Sequence, residues 1–171
     1  MEILKIEDLS FSYPESESRV LDGARFSLSE GELCVLAGST GSGKSTLLRL
    51  IKRELSPRGE KSGRVIFEGR EIEELDAREA ASAIGFVMQK PEQQIVCDTV
   101  WHELAFGLEN LGISRADIAI RVAEMASYFG IQGWFYKDVN ELSGGQKQLL
   151  NLASIMAMHP DMLILDEPTS Q

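Results

Sequence analysis

Four stretches of this sequence place side chains at spacings suited to phosphate chemistry. The first is Gly38-Ser39-Thr40-Gly41-Ser42-Gly43-Lys44-Ser45-Thr46, which fills the frame G-x-x-x-x-G-K-S. A glycine loop of this kind turns backbone N–H groups toward an anion, and a helix N-terminus adds its partial positive charge. Lys44 supplies a cation and Ser45 a metal-binding hydroxyl, in the order a phosphate chain requires. The second is Asp166-Glu167, which closes the apolar run Met162-Leu163-Ile164-Leu165. Asp166 there can hold a magnesium ion together with Ser45, and Glu167 can orient an attacking water. The third is Leu142-Ser143-Gly144-Gly145-Gln146, a glycine pair at a helix start. By itself it reads better as an ordinary N-cap than as a second phosphate-binding helix terminus. The fourth is a lone amide, Gln89, at the end of the short apolar run 83–88.

These residues need elements to hold them. Leu33-Cys34-Val35-Leu36-Ala37 reads as the strand that delivers the glycine loop, and Leu47 to Leu55 as the helix that follows it. Ser56-Pro57 and Gly59 stop that helix. Residues 3–13 and 20–28 read as strands joined by a polar surface turn over 14–19. Residues 60–72 read as a hairpin turning at Glu68-Gly69-Arg70, and 76–82 as a polar helix. Ala83 to Met88 and Met162 to Leu165 have the continuous apolar character of buried parallel strands. Between them the pattern becomes helical. Val100, Leu104, Leu108 and Leu111 form one stripe; Ile118, Val122, Met125 and Phe129 form another.

Composition narrows the function. With 17 basic and 27 acidic residues the net charge is 17 − 27 = −10, the wrong sign for a nucleic-acid-binding surface. Cys34 and Cys97 make no disulfide framework, and Cys34, inside an apolar strand, is expected to be buried. The charged start Met1-Glu2-Ile3-Leu4-Lys5 is no secretory signal, and no apolar run nears the ~20 residues of a membrane helix. The chain is expected in the cytosol, reaching a membrane only through a partner.

Taken in order, the loop at 38–46, Gln89, Leu142–Gln146 and the run 162–167 resemble the Walker A, Q-loop, signature and Walker B motifs of ABC transporter nucleotide-binding domains. The resemblance covers nearly the whole chain, and the LSGGQ signature separates this family from other P-loop ATPases. It implies an α/β P-loop NTPase fold: a RecA-like core, an antiparallel β subdomain and an inserted helical subdomain over 90–143, with 1–89 and 144–171 forming the rest. The implied ligands are ATP and Mg2+. Lys44, Gln89 and Glu167 take the catalytic roles, and Ser45, Gln89 and Asp166 hold the metal. Tyr13 stacks on adenine, a role set against a plain core aromatic at a strand end. Ser143, Gly144, Gly145 and Gln146 go to the ATP bound by a second ABC ATPase subunit, in a homodimer or heterodimer.

A finer resemblance lies in Gln89-Lys90-Pro91-Glu92-Gln93-Gln94-Ile95-Val96, Thr99-Val100 and Ala105-Phe106-Gly107-Leu108-Glu109-Asn110. These look like the energy-coupling-factor branch, the ATPases of cobalt and vitamin importers. That branch implies a peripheral place on the cytoplasmic face of the membrane and a transmembrane coupling subunit docked around residues 90–110. Gln93, Gln94, Asp98 and Glu103 would then accept a basic coupling helix. Trp101 and His102 depart from the acidic residues of that branch, and Leu149 stands where the family commonly has arginine.

The family pattern continues past Thr169-Ser170-Gln171 with a D-loop aspartate, a further strand and a switch histidine, so residues 1–171 read as a C-terminally truncated domain. Without that strand the Walker A and Walker B strands are expected to lose hydrogen-bond partners and apolar cover. The isolated polypeptide should then bind nucleotide poorly and turn it over slowly. Two rival functions share the same head: a DNA-repair or chromosome-maintenance ATPase, and a non-hydrolysing regulatory piece. The first calls for long coiled coils where this chain has a compact lobe, and for a basic surface where this chain is acidic. No nucleic acid partner is expected.

Overall fold

The computed structural model describes residues 1–14, 16 and 18–168. Thr169, Ser170 and Gln171, and two residues of the 14–19 turn, lie outside the described residues. The chain divides into two compact units, Met1–Ala80 and Ala81–Gln171.

The first unit is built on an antiparallel sheet ordered β2-β1-β3-β4, with β1 at Glu2–Ser12, β2 at Leu21–Ser29, β3 at Glu60–Phe67 and β4 at Arg70–Glu71. Strand alternation explains its core, with one correction by a bulge. Before the bulge the fully buried positions include the even-numbered Leu4 and Ile6; after it they are the odd-numbered Leu9 and Phe11. The pairing of β1 with both neighbours shifts between these two pairs, and Asp8 carries the distortion in a left-handed conformation, φ 51°. One extra residue thus keeps the apolar set on one face. It also sets the phase in which the strand runs out toward Tyr13.

Helix α1, Lys44–Ile51, buries Leu47, Leu50 and Ile51 and is followed by one 3-10 turn at Arg53–Leu55. Its C-terminal end is tied down by Lys52, whose buried Nζ donates to the Ala80 carbonyl at 2.6 Å and pairs with Glu54 at 3.3 Å. Burial pulls the Lys52 amine below the usual lysine range, and the Glu54 charge partly restores it. Helix α2, Ala77–Ala83, spans the division between the units.

The expected strand at Leu33–Ala37 does not form. No strand is assigned there, and Leu33 and Val35 are 90% and 79% exposed. A run this apolar is stable as a strand only with neighbours on both sides, and among the described residues none pairs with it. Cys34 is therefore exposed, not buried as the sequence suggested.

The second unit carries a two-stranded parallel sheet of β5, Ile84–Val87, and β6, Met162–Leu165. Helices α3 (Val100–Asn110), α4 (Arg115–Phe129) and α5 (Gly144–Ala157) surround a core that includes Val100, Leu104, Leu108, Ile118, Val122 and Leu150. Both stripes predicted from the periodicity face this core, with Met125 and Phe129 at its margin, except for Leu111, which is buried outside it. β6 forms as expected, but Leu163 and Leu165 stay 36% and 41% exposed.

Candidate functional site

In the first unit the glycine loop has the geometry its sequence requires. Gly41 and Gly43 adopt φ 81° and 90°. A Cβ at Gly43 would stand 3.0 Å from both Val20 Cγ1 and the Val20 carbonyl oxygen, so neither the torsion nor the space suits another residue. Ser42 N–H donates to the Ser39 carbonyl at 3.2 Å, closing the turn, and Leu47 N–H donates to Gly43 at 2.8 Å, starting α1. Gly43 offers α1 no side-chain cap, and its first turn holds no acidic residue. The positive end of the helix dipole thus faces the loop without a carboxylate of its own to offset it. Lys44 Nζ lies along the loop and donates to the carbonyls of Gly38 at 2.8 Å and Ser39 at 3.0 Å. Gly38 to Ser42 are all exposed.

Tyr13 is neither a core residue nor a free one. Its hydroxyl is 3.1 Å from Thr46 Oγ1 in the first turn of α1, and its ring meets Phe11 edge-on with centroids 5.0 Å apart. The ring is 38% exposed. The strand end and the phosphate loop are thereby fixed to one another through an aromatic with a solvent-facing side.

In the second unit, Gln89, Asp166 and Glu167 are brought together by strand pairing. β5 and β6 run in step from Ile84↔Met162 to Val87↔Leu165. Asp166 N–H extends the ladder, donating to the Val87 carbonyl at 3.0 Å. One residue further on, Gln89 Nε2 donates to Glu167 Oε2 at 2.8 Å. Asp166 is buried, while Glu167 is exposed and held at φ 48°, a left-handed conformation that is uncommon for residues other than glycine. Strain of this type concentrates where a side chain must be aimed.

At the start of α5 the signature forms a complete capping box. Ser143 Oγ accepts from Gln146 N–H at 3.3 Å, and Gln146 Oε1 accepts from Ser143 N–H at 2.8 Å. The ordinary reading of this motif as a helix cap is realised, and the Gln146 carbonyl is committed to it. Ser143 and Gly145 remain exposed at the helix N-terminus. Leu149, the departure from arginine, lines an open, largely apolar groove with Val87, Leu152 and Leu165.

Two of the four residues expected to meet a coupling helix have internal duties instead. Gln94 Nε2 donates to the Phe86 carbonyl at 2.8 Å, and its Oε1 accepts from Met88 N–H at 2.9 Å. Glu103 is buried, and its Oε2 accepts from the amides of Val96 at 3.0 Å and Cys97 at 2.9 Å. A carboxylate in that setting steadies the loop before α3 and presents nothing to a partner. Gln93 and Asp98 are exposed, as the expectation requires. Burial and then the nearby Glu103 charge push the Cys97 thiol above its ordinary range. His102 Nδ1 lies 2.8 Å from Thr99 Oγ1, and its ring sits edge-on to Trp101.

The expected metal holders are hard oxygens: the Ser45 hydroxyl, the Gln89 amide carbonyl and the Asp166 carboxylate. Among the described residues no group of three or more His, Cys, Asp or Glu could form a protein cage for a metal. Within the second unit, Gln89 and Asp166 offer hard oxygens of the kind Mg2+ takes beside waters and phosphate oxygens.

Residues 21–170 match the family described as ABC transporter. The chain belongs to that family. This ABC chain is 45% identical over 98% of its length to a candidate ABC transporter ATP-binding protein of Bacillus cereus, of which it spans 30%. It is 41% identical over 98% of its length to the energy-coupling factor transporter ATP-binding protein EcfA1 of Streptococcus pyogenes, of which it spans 60%. Its fold matches cbiO1 from Clostridium perfringens, part of the ABC transporter complex cbiONQ, with TM-score 0.84 and 31% identity, covering 99% of this chain and 66% of that one. The ABC-cassette, P-loop fold expected from the motifs is thus the fold of this chain. Gln148 and Asn151 were not singled out in the sequence, and Gln94 was singled out only as a partner contact. Asn151, a lone amide in the run Leu149-Leu150-Asn151-Leu152-Ala153, is the signal that could have drawn attention, because a buried amide needs a partner.

Proposed function

We propose that this chain is the ATP-binding and ATP-hydrolysing part of an ABC importer of the energy-coupling-factor type, powering uptake of a metal ion or vitamin. The observation that carries the hydrolytic reading is the Gln89–Glu167 hydrogen bond at the ends of two in-step parallel strands, next to the buried Asp166. It gathers, on one edge, an amide, a buried carboxylate suited to a metal and an exposed carboxylate. The branch assignment is supported by the 41% identity to EcfA1 and by the likeness to cbiO1.

In this reading Lys44 exchanges its bonds with the loop carbonyls for the β- and γ-phosphates of ATP, and the loop amides with the N-terminus of α1 hold the remaining oxygens. Tyr13 packs against adenine. Ser45, Gln89 and Asp166 hold Mg2+, which neutralises charge on the phosphates when bound. Glu167 accepts a proton from the water that attacks the γ-phosphorus, and Gln89 holds that carboxylate in position. The exposed N-terminus of α5, Ser143 to Gln146, serves the ATP of a second ABC ATPase subunit. Residues around 90–110, with Gln93 and Asp98 on the surface, meet a transmembrane coupling subunit.

The whole forms one ABC ATPase domain with its helical subdomain over 90–143, placed peripherally on the cytoplasmic face of the membrane. No helix among the described residues is long and apolar enough to cross a membrane. The test is phosphate release by the full-length protein against its Glu167→Gln variant. Turnover should fall by about a thousandfold with ATP binding retained, within the range general-base groups contribute. Equal rates would remove Glu167 from the mechanism.

A further inference from the structure

The backbone that carries Gln89 is held by three side-chain amides from two different elements. Gln94 spans the end of β5, donating to the Phe86 carbonyl at 2.8 Å and accepting from Met88 N–H at 2.9 Å. From α5, Gln148 Nε2 reaches the Met88 carbonyl at 3.4 Å, and Asn151 Nδ2 reaches the Pro91 carbonyl at 3.2 Å. Gln148 and Asn151 lie three residues apart, and so on one face of the helix that begins at the signature motif. Three backbone groups, the Phe86 carbonyl and the Met88 N–H and carbonyl, are thereby bonded by side chains, while the Pro91 carbonyl takes Asn151 in addition to the amides of Gln94 at 3.0 Å and Ile95 at 3.1 Å. Asn151 is fully buried, and neither its Oδ1 nor Gln148 Oε1 has a partner among the described residues. An amide kept in an apolar helix face at that cost is there for its donor.

We propose that Gln94, Gln148 and Asn151 are positioning residues for ATP hydrolysis: a three-amide clamp that fixes the Gln89 backbone and links it to the signature helix. Gln94 sets the direction in which the chain leaves β5, and therefore where the Gln89 side chain meets Glu167. Gln148 and Asn151 make a displacement of α5 pull on Met88 and Pro91, the residues flanking Gln89 and Lys90. Closure of a partner on the N-terminus of α5 is thus transmitted to the carboxylate that handles the water. The clamp rests on the reading of Gln89 and Glu167 given above.

The test is a double-mutant cycle in the full-length protein, with single-turnover ATP hydrolysis at excess enzyme so that slow rates remain readable. Gln94→Met removes both of its hydrogen bonds at similar length. It should lower the rate about tenfold while KM for ATP and the unfolding midpoint hold, because mispositioning by a fraction of an ångström costs rate and not phosphate binding. In a Gln89→Ala background the same substitution should cost no more than about twofold, since its effect passes through Gln89. Asn151→Leu, which keeps the branching of the side chain and lacks the donor, should behave alike and serves if Gln94→Met folds poorly. An unchanged rate in both variants, or an equal loss in the two backgrounds, overturns the clamp. If Gln89→Ala and Glu167→Gln themselves run at the parent rate, the site reading fails and the clamp with it. If they are slow while Gln94→Met and Asn151→Leu are not, the clamp alone is wrong.

Discussion

Gln89 and Glu167 meet at 2.8 Å because they occupy matching positions on two parallel strands, each two residues beyond the last paired position, Val87 and Leu165. The contact is therefore a continuation of strand register, made by side chains after the backbone ladder ends. It places a hydrogen-bond donor on a carboxylate whose own backbone is held left-handed.

In the proposed function Lys44 gives up two carbonyl partners to bind phosphate, so its net contribution is a difference between two charged sets of hydrogen bonds. Lys44→Met should still weaken ATP binding by about ten- to a hundredfold, corresponding to ~1.5–3 kcal/mol for hydrogen bonds to a charged group. Nucleotide titration of the full-length protein, followed by calorimetry, checks this. An unchanged affinity would mean the loop amides hold the phosphates alone.

Glu103 accepts two backbone amides from a buried position, and Ala cannot replace it. Glu103→Ala leaves both amides without their acceptor and should cost ~2–3 kcal/mol of stability. Chemical denaturation measures it. A loss below about 0.5 kcal/mol would show that water replaces the carboxylate there.

Ser143 caps α5 through a reciprocal box with Gln146, and removal of such a hydroxyl costs about 1 kcal/mol. Ser143→Ala should lower the unfolding midpoint modestly. If the same serine serves a partner's nucleotide, turnover should fall by far more than that stability loss explains. Parallel thermal unfolding and phosphate-release measurements separate the two roles.

Cys97 is shifted upward by burial and by the adjacent Glu103 charge, so less of its thiolate is present at any pH than in a free cysteine. Alkylation at pH 8 should label Cys97 several-fold more slowly than a model thiol. Glu103→Gln removes the charge while keeping an acceptor oxygen, and should speed the reaction. Mass-spectrometric time courses at several pH values test the sign: reactivity of Cys97 must rise at higher pH than that of the model thiol.

The parts that could be read from the sequence are those in which neighbours along the chain do the work. The glycine torsions of the phosphate loop, the S-x-x-Q box at Ser143 and the two apolar stripes are all local, and all formed. The strand at Leu33–Ala37 was misread because apolar character shows what a segment would bury, not whether a neighbouring strand is there to pair with it. Gln94 and Glu103 looked like surface polar residues because nothing in a linear pattern tells a solvated polar side chain from one bonded to backbone six to eight residues away. Asp8 was invisible for a related reason: a bulge registers only as a change in which parity of residues is buried.

The constant offset between β5 and β6 also decides which changes of length this domain can accept. Gln89 finds Glu167 through the ladder, so the number of residues in the helical lobe between them is immaterial to their separation. Insertions and deletions at the exposed turns of the lobe, such as the one between α3 and α4, should leave the Gln89–Glu167 contact intact. A single residue added within Met162–Leu165, or between Val87 and Gln89, would set the glutamine against a different neighbour. The lobe can be resized over evolutionary time to fit new partners, while the strands around it stay fixed in count.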